Sequence, residues 1–218
     1  MMKNNPTRGL LMYSFYSSKG NIGVALLLIL ALGITLLITG STTVYAFFTL
    51  VAIGIPPYII MIKMGAKNQT QWEKFQISMP LKRKNIVASF YLSIVIATFA
   101  GFLLCGVILG IGLVFHEGLM EHVIKTAFGS VSYIIGIALL MAGLLLPIGS
   151  TKFGENKGEV FFTLCLGIAA GIVLLIQWAG GKVDIPPAII SLSQIVIALT
   201  ALVISYYITS KIYAKMDF

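Results

Sequence analysis

The chain has 218 residues, 58% of them hydrophobic and 10% charged, with a mean hydropathy of +0.99 and a formal net charge of +8. Globular domains average about 45–50% apolar and about 25% charged residues, so this composition excludes a soluble core and implies a multi-span membrane protein. In that class a positive balance reflects topology, because basic residues gather on the cytoplasmic side of spans, and nucleic acid is not an expected partner.

The first twenty residues carry Lys3, Arg8 and Lys19 without an uninterrupted apolar stretch, so a signal peptide is not expected. The segment PTRGLLMYSFYSSKG is too polar to span and too apolar for a solvated tail. Leu11 and Phe15, with Met12 and Tyr16 beside them, can share one helical face, while Thr7, Arg8, Ser14 and Ser18 fall elsewhere. Residues 1–20 therefore read as an interfacial helix lying along the inner leaflet.

Apolar runs of about twenty residues predict six spans, at 22–38, 44–62, 86–115, 126–149, 160–179 and 185–210. The third is long enough that it must tilt, kink or project beyond the hydrocarbon, and Gly101, Gly106, Gly110 and Gly112 suggest a kink. If both termini are cytoplasmic, every Lys and Arg except Lys125 and Lys182 falls on the inner side. That bias predicts a plasma-membrane protein with both termini inside. Trp178 at an outer end and Tyr206, Tyr207 and Tyr213 near an inner end agree with interfacial aromatic belts. Cys105 and Cys165 lie within apolar runs and read as small hydrophobes.

Several kinds of chemistry are disfavoured. HEGLMEH (116–122) lacks the second histidine four residues after the first, so the two imidazoles do not share a helical face for zinc, and the segment reads as a short solvated outer loop. No Asp, Glu, Lys, Arg or His lies inside a span, which argues against proton relays and intramembrane acid–base chemistry. No GxxxxGK[ST] phosphate loop occurs, so ATP hydrolysis is not expected of this chain. Gly106-x-x-x-Gly110 and Gly167-x-x-x-Gly171 permit close helix approach, and Pro56-Pro57 stands where it could bend span two ahead of a polar loop.

That loop, 63–85, contains QWEKFQISMPLKRK. Trp72, Phe75 and Met79 recur at helical spacing and line one face, with Glu73, Lys74 and Gln76 turned away. Pro80 ends the short helix near Ser78 and suits the first position of the next one. Lys82, Arg83 and Lys84 then anchor the start of span three at the headgroups. The exposed apolar stripe either lies in the lipid interface or docks into a partner; physics alone leaves both open.

The run Trp72, Glu73, Phe75, Ser78, Pro80, Arg83, Ile86, Val87 and Tyr91 resembles the first cytoplasmic loop of ABC transporter permeases of the second, export type. It resembles especially the small six-span bacterial permeases of phenol-soluble modulin and antimicrobial-peptide exporters. The resemblance implies an all-α polytopic fold, a single permease domain over 1–218, and a coupling helix that enters a groove on a separate ABC ATPase. In that reading Trp72, Glu73, Phe75, Ser78 and Met79 contact the ATPase, and Pro80, Lys82, Arg83 and Lys84 form the membrane anchor. The chain is then a non-catalytic subunit with no cofactor of its own, ATP and magnesium being held by the partner. A second permease copy or a sibling would complete the pathway, and amphipathic peptide is the first-choice cargo, ahead of lipid or drug. Larger relatives carry re-entrant outer helices before the last span, for which the connection from Gly180 to Pro187 is too short. The alternative from another class is a regulatory or immunity protein that binds a peptide or lipid without transporting it.

Overall fold

A computed structural model describes residues 6–65, 83–115, 117–149, 158–183 and 185–215. Among these residues the fold is all-α. The helices are α1 (Pro6–Ser17), α2 (Lys19–Thr39), α3 (Thr42–Thr49), a π-helical turn (Leu50–Gly54), α4 (Ile55–Gly65), α5 (Arg83–Phe115), α6 (Glu117–Gly149), α7 (Gly158–Lys182) and α8 (Pro187–Lys215). Six segments are long and apolar enough to cross a membrane: Lys19–Thr39, Thr42–Met61, Lys84–Gly112, Gly129–Ile148, Val160–Lys182 and Pro187–Ala214. Phe15 of α1, Ile60 and Met61 of α4, Val87 of α5 and Tyr206 and Tyr213 of α8 belong to one apolar cluster, and the end of the bundle that holds them is called here the terminal end.

Local chemistry sets the turns. Gly40 caps α2 in the left-handed conformation, φ 60°, with its amide donating to the Leu36 carbonyl at 2.8 Å. Ser41, in extended conformation, then opens α3. Pro187 begins α8, where a missing N–H has no helical partner to lose. Between α7 and α8 the Ile185 amide donates to the Gly180 carbonyl, 3.1 Å away.

Two apolar clusters fill the bundle. At the terminal end, Ile60 and Met61 of α4 meet Val87, Tyr91 and Ile94 of α5, the 139–146 stretch of α6, Val173 of α7 and Leu202 of α8. At the far end, Ile29 and Leu36 of α2 meet Tyr45 and Phe48 of α3, Ala52 and Ile53 of the π turn, and Cys105 of α5. Both cysteines are free and buried, in keeping with their reading as small hydrophobes. The tightest helix pair is α6 with α8, where Gly136 and Gly143 of α6 face Gln194 and Ala201 of α8.

Three expectations change. Span three is one continuous helix: α5 runs for 33 residues, about 50 Å at 1.5 Å per residue, and so projects beyond a hydrocarbon core of about 30 Å, one of the outcomes its length allowed. Gly101 is instead a contact point, because a Cβ there would overlap the Ala52 carbonyl oxygen and come within 2.9 Å of the Ile53 Cα. The two GxxxG pairs make no close contact, since added Cβ atoms at Gly106, Gly110, Gly167 and Gly171 meet nothing within 4 Å among the described residues. Residues 117–122 are not a loop but the first turns of α6, which extends well before its apolar window. Side-chain geometry at His116 and His122 lies outside the described residues.

α1 is helical as expected, yet its buried face differs. Leu10 is buried and Phe15 packs on the terminal-end cluster, whereas Met12 and Tyr16 point away from the protein. The helix docks on α5, and that contact, rather than the apolar spacing alone, selects which side turns inward.

Candidate functional site

The chemistry-bearing arrangement among the described residues stands at the terminal end, where α4 and α5 flank the 66–82 connection. α5 begins at Arg83, and Lys84 is exposed beside it. Within three turns the helix goes from exposed to buried, through Ile86, Val87, Ser89, Tyr91, Ser93 and Ile94.

The buried hydroxyls of this stretch divide into two kinds. Ser89 Oγ donates to the Ile86 carbonyl (2.7 Å), Ser93 Oγ to the Ser89 carbonyl (2.8 Å) and Thr98 Oγ1 to the Ile94 carbonyl (2.9 Å). Each is satisfied by its own helix and makes no link elsewhere. Tyr91 behaves differently. Its hydroxyl lies 2.6 Å from Ser205 Oγ and 2.8 Å from Thr209 Oγ1, both on α8 and one turn apart. Its ring takes the Tyr206 ring edge-on, centroids 5.6 Å apart at 85°. One α5 side chain thus locks to α8 by two hydrogen bonds and an aromatic contact.

Neighbouring contacts widen the assembly. Tyr58 of α4 stacks at a tilt on Phe162 of α7, centroids 4.9 Å apart. Ile60 and Met61 share the cluster of Val87, Tyr91 and Ile94, and Phe15 of α1 packs on it. Both helices that emerge from the polar loop are therefore seated in one core with α1, α6, α7 and α8. A displacement at the loop would be felt by all of them, because close-packed interiors transmit strain.

Of the residues singled out from sequence, Trp72, Glu73, Phe75, Ser78, Met79, Pro80 and Lys82 lie outside the described residues, as does the coupling helix they would form. Arg83 and Lys84 open α5, and Ile86, Val87 and Tyr91 follow in its buried face. Sequence reasoning missed Ser205 and Thr209. Their signal was present: Ser191, Gln194, Ala198, Leu202, Ser205 and Thr209 recur at three- and four-residue steps and form the buried stripe of α8. Tyr206 and Tyr213, read as interfacial, pack against the core, while Tyr207 is exposed as a belt residue would be. Trp178 is also exposed and holds the Lys182 ammonium 4.6 Å from its ring centroid.

The arrangement offers a mechanical linkage between α5 and α8. Among the described residues no group of His, Cys, Asp and Glu could hold a metal ion. No curated protein and no solved structure matches the chain. A family model described as ABC-2 family transporter protein matches residues 9–214, which takes in all six spans and the loop. A multi-span helical bundle matched by that model over nearly its whole length belongs to the ABC-2 family of transporter proteins, as a membrane subunit.

Proposed function

We propose that this chain is the permease of an ATP-driven exporter that moves amphipathic peptides, or other hydrophobic cargo, out of the cell. Power comes from a separate cytoplasmic ABC ATPase that holds ATP and magnesium, in keeping with the way permeases of this family generally work. The ATPase docks on Trp72, Glu73, Phe75, Ser78 and Met79, and Pro80 with Lys82, Arg83 and Lys84 tethers the loop to the inner headgroups. Two permeases, identical or sibling, enclose the pathway. The terminal end is cytoplasmic, as the Lys and Arg distribution favours, and α1 rests in the inner leaflet with Met12 and Tyr16 toward lipid.

One observation supports this reading above the others. The helices on either side of the loop sit in one core with four further helices, and Tyr91 ties the loop-proximal part of α5 to α8. A push on the loop therefore reaches the last span without crossing a flexible joint. The uncharged span interiors favour apolar or amphipathic cargo over a small ion.

Purification from the native membrane, with identification of the co-purifying subunits, tests the proposal. An ABC ATPase should co-purify, and amphipathic peptide should stimulate its hydrolysis of ATP in liposomes. A chain that purifies without an ATPase and still binds peptide would instead be a receptor or immunity protein.

A further inference from the structure

We propose that the hairpin of α2 and α3 swings as a unit about the π turn at Leu50–Gly54, with Gly101 of α5 as its pivot. The break in the helix is covalent. The Ala52 carbonyl faces Pro56 at i+4 and Pro57 at i+5, and neither has an N–H to donate. The Ile53 carbonyl likewise faces Pro57 at i+4. A π turn widens the helix where proline rings would otherwise strike these carbonyls, and such turns recur at functional sites. Irregular backbone at membrane depth survives only where protein covers it, and Ala52 and Ile53 are both fully buried.

The cover is Gly101. Its Cα hydrogen points at the Ala52 carbonyl oxygen, where any Cβ would overlap it. A C–H···O contact of this kind is weaker than an N–H···O bond. The π turn also stands on the seam between the two cores. Tyr45, Phe48 and Ile53 before Pro56-Pro57 belong to the far-end cluster, and Ile60 and Met61 after it belong to the terminal-end cluster. α2 and α3 pack on each other across the Gly40 turn and against Cys105 and Ile108 of α5 and Val131 and Ile134 of α6; the apolar window of span one is 22% buried and that of span two 44%. The hairpin's other covalent attachment is Ser18, a non-helical residue at φ −96°, ψ 1° between α1 and α2. Both attachments are thus irregular, while the hairpin between them is regular. That this swing carries the loop's motion to the far end rests on the exporter reading; the swing itself does not.

The test uses the full-length permease alone in phosphatidylethanolamine–phosphatidylglycerol nanodiscs, with Cys105→Ala and Cys165→Ala to remove native thiols. Nitroxide labels go on the exposed sites Ile38, Leu164 and Leu192, and pulsed dipolar spectroscopy reads two distances. Ile38–Leu164 spans the proposed hinge, and Leu192–Leu164 joins α8 and α7, which both pack on α6. The hinge pair should give a distribution about twofold wider than the reference pair, and Pro56→Ala with Pro57→Ala should narrow it to the reference width. Should the double variant fail to insert, Pro56→Ala alone returns one donor to the Ala52 carbonyl and should narrow it in part. Equal widths in the unsubstituted permease, or an excess width that survives both substitutions, would overturn the hinge. Failure to find a co-purifying ATPase would sink the exporter reading and leave this comparison standing.

Discussion

The Tyr91 hydroxyl of α5 and the Ser205 hydroxyl of α8 lie 2.6 Å apart, at residues 114 positions distant in the chain. Thr209 meets the same oxygen at 2.8 Å, so a single phenol bridges two hydroxyls on adjacent turns of α8. Interhelical hydrogen bonds within membranes average about 0.6 kcal/mol each. Tyr91→Phe should therefore cost about 1 kcal/mol, since Ser205 and Thr209 can turn back to their own helix. Tyr91→Ala also leaves a cavity, and should cost about 3–5 kcal/mol by analogy with other aromatic truncations. Thermal unfolding in detergent measures both. A Tyr91→Phe permease as unstable as Tyr91→Ala would show that the hydroxyl bridge, and not the packed ring, holds the two helices.

Gly101 and Gly106 make opposite predictions for one substitution. An added methyl at Gly101 overlaps the Ala52 carbonyl oxygen, a backbone atom that cannot rotate away, while at Gly106 it meets open space. Gly101→Ala should destabilise by about 1–3 kcal/mol, as overpacking does. Gly106→Ala should be neutral or slightly stabilising, because alanine is the better helix former by about 1 kcal/mol. Equal melting temperatures for the two variants would refute the close approach of α5 to the π turn.

The orientation rests on the Lys and Arg distribution, and labelling decides it. Gly118→Cys and Lys182→Cys should react with a membrane-impermeant maleimide added outside intact cells. Thr70→Cys and Glu155→Cys should react only after permeabilisation. Reversed labelling would place the polar loop outside and sink its role as an ATPase dock.

Trp72→Ala with Phe75→Ala removes two large apolar side chains from the proposed dock. Each is worth roughly 1.5–3 kcal/mol when buried, and interface aromatics often serve as anchors. The double variant should insert normally yet lose its ATPase in a pull-down, or hydrolyse ATP without export. Lys82→Gln with Arg83→Gln weakens a headgroup tether of about 1 kcal/mol per basic residue and should leave the pull-down unchanged. Normal assembly and coupling in the aromatic variant would make the 71–79 segment a membrane float.

His116→Ala with His122→Ala should leave transport and metal content as they are, because the histidine spacing does not suit one zinc-binding helical face. Loss of bound zinc together with loss of transport would restore a metal site at this end of α6.

The six spans were legible in the sequence because bilayer thickness imposes a long apolar run on each, and that requirement is local. The turn residues Gly40 and Pro187 likewise act locally, through their own backbone restrictions. Span four shows the limit of this local signal, since helical geometry continues through 117–128 where the apolar run has not begun. What no local pattern carried was the choice of partner. Tyr91 was visible as part of a loop motif, but its bridge to Ser205 and Thr209 depends on α5 and α8 being brought side by side by the packing of α6 against both. Gly101 and Gly106 are alike in sequence, one glycine in a span like another. Only the approach of a proline-broken carbonyl made the first indispensable and left the second free, because a steric demand belongs to a pair of surfaces and not to either residue alone.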